Sequence, residues 1–171
     1  MKHSSQFGWL LGSLMLLFMM PLSAAHHGEE SHTTLMDFEG NPHSLSDFQE
    51  PDKWLVVMIW ASDCTICNQE AHSYTLFHDK HKETDAVVLG VSMDGLAGKA
   101  DAAAFIKRHQ VSFPNLIGGF EEIAQMFVNL TGESWIGTPT FLFYSPTGEL
   151  VAQQVGGVPV ALIENFIQDN S

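Results

Sequence analysis

Basic residues and cysteines are what this chain has least of. Lysine and arginine together number 7, against 20 aspartates and glutamates, for a formal net charge of -13. A field of that sign repels phosphate backbones and anionic lipid headgroups, which argues against a nucleic-acid partner or a membrane-surface protein. Two cysteines in 171 residues cannot staple a small disulfide scaffold. Without a second cysteine pair, a structural zinc site lacks half its thiolates. The apolar run near the start, Phe7 to Met20, contains no charge and is shorter than the roughly 20 residues that span a bilayer. Internal repeats, low-complexity tracts and Gly/Ser-rich linkers are missing too, which leaves one domain.

What is present begins with an address. Lys2 precedes the uncharged stretch, Pro21 breaks it, and Ser23-Ala24-Ala25 offers small residues for a peptidase. This is the layout of a secretory signal peptide over residues 1–25, with an uncleaved signal anchor as the competing reading. No cysteine stands at that site to carry a lipid. A polar segment follows at 26–32, with His26, His27 and His32 beside Glu29 and Glu30, and the folded domain is expected over 33–171. Export, in turn, implies an oxidising compartment such as the periplasm.

The domain reads as alternating strands and helices. Strands are expected at Thr33–Phe38 and His43–Leu45, separated by the turn signal Gly40-Asn41-Pro42. Trp54 to Trp60 is a continuous apolar run, which fits a strand buried on both faces. A helix is expected from Cys64 to His81, capped by Ser62 or Asp63, followed by a strand at Val87–Val91. Helices at Ala100–His109 and Phe120–Leu130 come next. A hairpin of Thr140–Tyr144 and Leu150–Val155 and a last helix at Pro159–Gln168 close the chain. A βαβ unit followed by a hairpin and a helix gives an α/β fold with a central mixed sheet.

The two cysteines sit three apart, at the point where the apolar strand runs into a helix. A disulfide between them closes a loop too small to constrain the unfolded chain, so the pair serves chemistry rather than architecture. At a helix start, free N–H groups and the positive end of the dipole stabilise a thiolate. Cys64, nearer the end, is the expected nucleophile, and Cys67, one turn inward, the resolving thiol. Glu70 lies one further turn along the same face and can relay a proton to or from Cys67. Thr138-Pro139 precedes a strand, where a proline removes a ladder donor. A cis bond there would leave the preceding backbone free to pair with an extended substrate. Asp63 and the general acidity raise the proton affinity of Cys64 while the helix end lowers it. No lysine, arginine or histidine stands beside the motif in sequence, which favours reduction or isomerisation over strong oxidation.

Trp60-Ala61-Ser62-Asp63-Cys64-Thr65-Ile66-Cys67, Glu70 and Thr138-Pro139 resemble the TlpA/ResA-type exported thiol–disulfide oxidoreductases. Thr34 to Gly40 and Ser44 to Phe48 resemble the N-terminal hairpin of that redoxin group. The resemblance implies a thioredoxin fold and a periplasmic CxxC dithiol kept reduced by a membrane donor of the DsbD/CcdA type. It also implies exported protein substrates such as apocytochrome c, bound at Thr138, Pro139 and Trp60, and chemistry that needs no cofactor or metal beyond the dithiol. The chain departs from the pattern at Thr65-Ile66, where a proline commonly precedes the second cysteine. Met58 stands where thioredoxin has a buried aspartate, and Ala71-His72 stands where a proline is usual. Four other readings compete. One is a thiol oxidase or isomerase. Another is a Cu(I) chaperone of this fold, for which the usual CxxxC spacing is absent. The third is a peroxide-reducing enzyme, whose Pro-x-x-x-Thr-x-x-Cys setting is missing before Cys64. The fourth is a non-catalytic interaction domain, to which an unreactive Cys64 would point.

Overall fold

The computed structural model describes residues 33–171. The expected signal peptide (1–25) and polar segment (26–32) lie outside the described residues.

One seven-stranded mixed sheet organises the described residues. The strands are β1 (Leu35–Asp37), β2 (Pro42–His43), β3 (Trp54–Trp60), β4 (Ala86–Ser92), β5 (Asn115–Ile117), β6 (Thr140–Tyr144) and β7 (Leu150–Val155). Their order across the sheet is β2-β1-β5-β4-β3-β6-β7. β3, β4 and β5 run parallel, and the remaining neighbours are antiparallel. Among the described residues four α-helices join them: α1 (Thr65–His81), α2 (Lys99–His109), α3 (Phe120–Thr131) and α4 (Val160–Asp169).

The uninterrupted hydrophobicity of β3 follows from its central place. Trp54, Val56, Met58 and Trp60 pack under α1, α2 and α4 with Tyr74, Phe77, Phe105 and Ile163. The alternate residues Leu55, Val57 and Ile59 pack under α3 with Ile123, Met126 and Phe127. Side chains of period two feed two cores, so neither face of the strand is free to be polar.

One expectation shifts near the start. The second strand is Pro42–His43, not His43–Leu45, while the short helical turn that Ser46-Asp47-Phe48 suggests is present as a 3-10 turn over Leu45–Phe48. Ser44 ends the strand because its N–H and hydroxyl both donate to the Asp47 carboxylate at 2.9 Å, a capping arrangement that starts a helical turn. β5 has no counterpart in the sequence reading. It is three residues long, lies between Pro114 and Gly118, and is defined by pairing with β4 and β1.

Candidate active site

The sheet places the chemistry at one edge. β3 ends at Trp60 beside Ser92 of β4, Ser92 stands beside Ile117 of β5, and Thr140, the first residue of β6, faces Ile59. The chain after β3 and the Thr138-Pro139 loop before β6 therefore emerge together. The Thr138–Pro139 bond is cis. Trp135 Nε1 donates to Thr140 Oγ1 at 3.2 Å, Thr140 Oγ1 donates to the Gly137 carbonyl at 2.5 Å, and Gly156 N–H donates to the Pro139 carbonyl at 2.8 Å.

Cys64 and Cys67 form a disulfide with Cα atoms 5.2 Å apart. The cap expected from Ser62 or Asp63 is supplied by Cys64 itself, whose Sγ accepts the Cys67 N–H at 3.1 Å. A nucleophilic sulfur thus occupies the N-cap position, where a thiolate gains an N–H donor and the positive end of α1. Cys64 is half-buried and Cys67 fully buried behind it. Ser62 is committed elsewhere: its hydroxyl donates to Asp94 Oδ1 at 2.7 Å and its N–H donates to the same carboxylate. Ser92 Oγ donates to Asp94 Oδ2 at 2.7 Å, so Asp94 ties the loop after β4 to the loop before Cys64.

Glu70 lies on α1 and receives the Tyr74 hydroxyl at 2.5 Å. The same hydroxyl oxygen lies 3.0 Å from the Val158 carbonyl and accepts the Val158 N–H at 3.2 Å. Burial first, then the bond to Glu70, hold the Tyr74 pKa well above the ordinary phenol range. Gly157 closes this site from the segment before α4. A Cβ there would sit 2.6 and 2.8 Å from the two Glu70 carboxylate oxygens. Tyr74 and Gly157 were missed in the sequence. Tyr74, at i+4 from Glu70, had a helical signal, whereas Gly157 had none.

Two expectations need correction here. Trp60, expected among the substrate-binding residues, is 1 % exposed. Its indole stacks on Phe105 at 4.3 Å between centroids, and Nε1 donates to Asn115 Oδ1 at 3.0 Å. It is a core residue, and Gly90 makes room for it: a Cβ at Gly90 would fall 1.9 Å from Asn115 Oδ1. The motif also has basic company that the sequence hid. Asn68 Nδ2 donates to the Ser62 and Cys64 carbonyls at 2.9 Å, and its Oδ1 accepts Arg108 Nη2 at 2.8 Å. His109 Nε2 lies 3.0 Å from the same Oδ1. α2 thus brings a guanidinium within one side chain of the nucleophile's backbone. Burial, the Arg108 charge and His72 lower the His109 pKa, which keeps that ring neutral near pH 7. His72 itself is exposed on α1. Met58 is buried on the Cys67 side of the sheet, where it brings no titratable group.

A mixed sheet with helices on both faces, a dithiol at the start of α1 and a cis-proline loop at the same edge define a thioredoxin-like redox protein. The AhpC/TSA family model matches residues 29–153, and the chain belongs to that family. It is 23% identical over 153 residues to the thiol-disulfide oxidoreductase ResA of Halalkalibacterium halodurans, covering 88% of this chain and 81% of that protein. It is 35% identical over 52 residues to alkyl hydroperoxide reductase C of Mycobacterium tuberculosis. That match takes in 30% of this chain and 27% of the reductase, so the chain spans about a quarter of that relative's length. Among solved structures, the thioredoxin domain of a thiol-disulfide oxidoreductase from Bacteroides vulgatus superposes with a TM-score of 0.63 at 23% identity. The superposition covers 78% of this chain and 91% of that domain. The expected thioredoxin fold and ResA-type kinship hold.

Proposed function

We propose that this chain is an exported, periplasmic thiol–disulfide oxidoreductase that reduces disulfides in other exported proteins, apocytochrome c among the candidates. A membrane donor of the DsbD/CcdA type returns it to the dithiol state. The observation that carries the reading is Cys64 Sγ at the N-cap of α1, taking the Cys67 N–H, with Cys67 buried one turn behind. In the dithiol form Cys64 attacks a substrate disulfide and releases one substrate thiol. Cys67 then attacks the mixed disulfide, releases the second thiol and closes the Cys64–Cys67 bond. Two electrons pass to substrate, and the Cys67 proton passes to Glu70. The resemblance to ResA and the leader-like first 25 residues support the location.

The test is the reduction potential of the Cys64–Cys67 couple in a redox-buffer series. A potential near thioredoxin's roughly -270 mV supports a reductase, whereas one near DsbA's about -120 mV makes the protein an oxidant of exported thiols. Cys67→Ser should trap a mixed disulfide with substrate on Cys64, visible by mass spectrometry. Peroxide turnover matching disulfide turnover would instead favour the chemistry named for the reductase relative. Tight Cu(I) binding with negligible disulfide reduction would favour a chaperone.

A further inference from the structure

Four segments meet at the edge of the sheet that carries Cys64, and each exposes one large apolar side chain. Ile66 follows β3 and is 41% exposed, Leu96 follows β4 at 75%, Phe120 follows β5 at 59%, and Ile136 precedes β6 at 77%. Such exposure in a folded domain leaves apolar area in water at an energetic cost, and a cluster of it marks a contact surface. The segments are laced together. Met93 N–H donates to the Trp60 carbonyl at 2.9 Å, Gly95 N–H to the Gly118 carbonyl at 3.0 Å, and Gly118 N–H to the Ser92 carbonyl at 3.0 Å. The Phe120 ring lies 5.5 Å from that of Trp135, whose neighbour in the chain is Ile136. The apolar residues are thus held by a frame rather than by independent loops.

The charge of the frame has one sign. Segments 61–68, 93–98, 118–125 and 131–139 contain Asp63, Asp94, Glu121, Glu122 and Glu133, and no lysine, arginine or histidine. Two cations neighbour the frame: Lys99, which follows segment 93–98 as the first residue of α2, and Arg108, which is committed to Asn68 and lies over the Phe105 ring. An apolar rim among carboxylates is complementary to a chain segment that carries both apolar and basic side chains.

Resting on the oxidoreductase reading, we propose that the rim of Ile66, Leu96, Phe120 and Ile136 docks extended polypeptide segments. In these segments the disulfide-bonded cysteine is flanked by apolar and basic residues. The rim selects substrate, and Cys64 and Cys67 do the chemistry: the dithiol is oxidised to the disulfide as the substrate disulfide is reduced to two thiols.

The experiment uses the reduced protein and peptides whose single cysteine is linked to one common small aromatic thiol. The flanking residues are leucine with lysine, leucine with glutamate, or serine with lysine. A neutral small aromatic disulfide reports the chemistry alone, and each peptide kcat/KM is read as a ratio to it. The expected result is a ratio at least tenfold higher for leucine–lysine than for either other peptide. Raised salt should shrink the lysine-over-glutamate preference, because exposed charges are screened. Leu96→Ser and Ile136→Ser should each collapse the leucine-over-serine preference. Equal ratios for all three peptides, with the small disulfide still reduced, overturn the docking surface and leave the oxidoreductase reading intact. No reduction of the small disulfide overturns both. Concentration-dependent dimers that Leu96→Ser and Ile136→Ser dissociate, with the peptide ratios unmoved, assign the rim to a second copy of this chain and overturn the proposal.

Discussion

Gly157→Ala isolates the placement of the Glu70 carboxyl from its identity. The new Cβ would lie 2.6 Å from one carboxylate oxygen and 2.8 Å from the other, whereas ordinary contact begins at 3.4 Å. Glu70 must therefore retreat from Gly157 by about 0.8 Å, which disturbs its bond with the Tyr74 hydroxyl at 2.5 Å. The atoms that move are the far end of a flexible side chain, so the fold should register little. Loss of glycine freedom in the unfolded chain adds roughly 0.4–1 kcal/mol of stability against that displacement, and the melting temperature should hardly move. Catalysis should register more. A misplacement of about 1 Å can cost on the order of a hundredfold, and a positioned acid–base group contributes roughly 10²–10⁴-fold. Stopped-flow turnover of a disulfide substrate across pH, for Gly157→Ala, Tyr74→Phe and Glu70→Gln, is the assay. The first two should slow resolution by Cys67 on the order of ten- to a hundredfold, and Glu70→Gln should set the limit. If Glu70→Gln is slow while Gly157→Ala matches the parent at every pH, carboxyl placement is irrelevant and the reasoning fails. If Glu70→Gln is itself unchanged, the proton relay is wrong.

Three further outcomes follow from the geometry. His78 is buried, its Nδ1 accepts the Val88 N–H at 3.1 Å, and burial lowers its pKa below the ordinary 6.5. The unfolded chain binds a proton there before the fold does, so stability should be full above about pH 6.5 and fall as pH drops below it. His78→Asn keeps an acceptor without a titration and should flatten that limb in denaturant melts. Asp79, Asp85 and Glu164, with lowered values, act only at lower pH, and His109 remains common to both proteins. Trp60→Phe leaves Asn115 Oδ1 without its indole donor and should cost about 1–3 kcal/mol of stability. It should leave substrate KM unchanged, and a large KM effect would restore Trp60 to the binding surface. Asn68→Ala cuts the bridge from Arg108 to the Cys64 carbonyl and should raise the Cys64 thiol pKa, measured by thiolate absorbance. An unchanged pKa would show that the guanidinium is too distant to matter.

The parts legible in the sequence were those where local chemistry and tertiary context agree. The Trp54–Trp60 run announced a doubly buried strand because both of its faces meet helices. Thr140–Tyr144 and Leu150–Val155 appeared at their observed bounds because the Pro146-Thr147-Gly148 turn punctuates them. Cys64 and Cys67 stand three apart at the start of one helix, so their spacing alone brought the two sulfurs together. β5 was illegible because three residues carry no period, and its existence is a pairing decision made by β1 and β4. Arg108 and His109 were invisible for a similar reason: 40 residues separate Arg108 from Asn68, and only the packing of α2 beside α1 closes that distance. Trp60 was misassigned because adjacency to a motif says nothing about which way a strand residue points. Its even register with Trp54, Val56 and Met58 puts it in the core under α1, α2 and α4, and the odd register is buried in the other core.

The sheet's two ends have different tolerances for change. Cys64, the cis-proline loop and the apolar rim all rise from the end where β3, β4 and β5 finish and β6 begins. The β6–β7 hairpin turns at the other end, through Ser145–Glu149, where Gly148 N–H closes on the Ser145 carbonyl at 2.9 Å and Thr147, Gly148 and Glu149 face solvent. A fluorophore, affinity tag or immobilisation handle inserted at that turn would sit a full strand length from the redox couple. The same insertion between Trp60 and Cys64 would uncouple the sulfur from the strand that aims it.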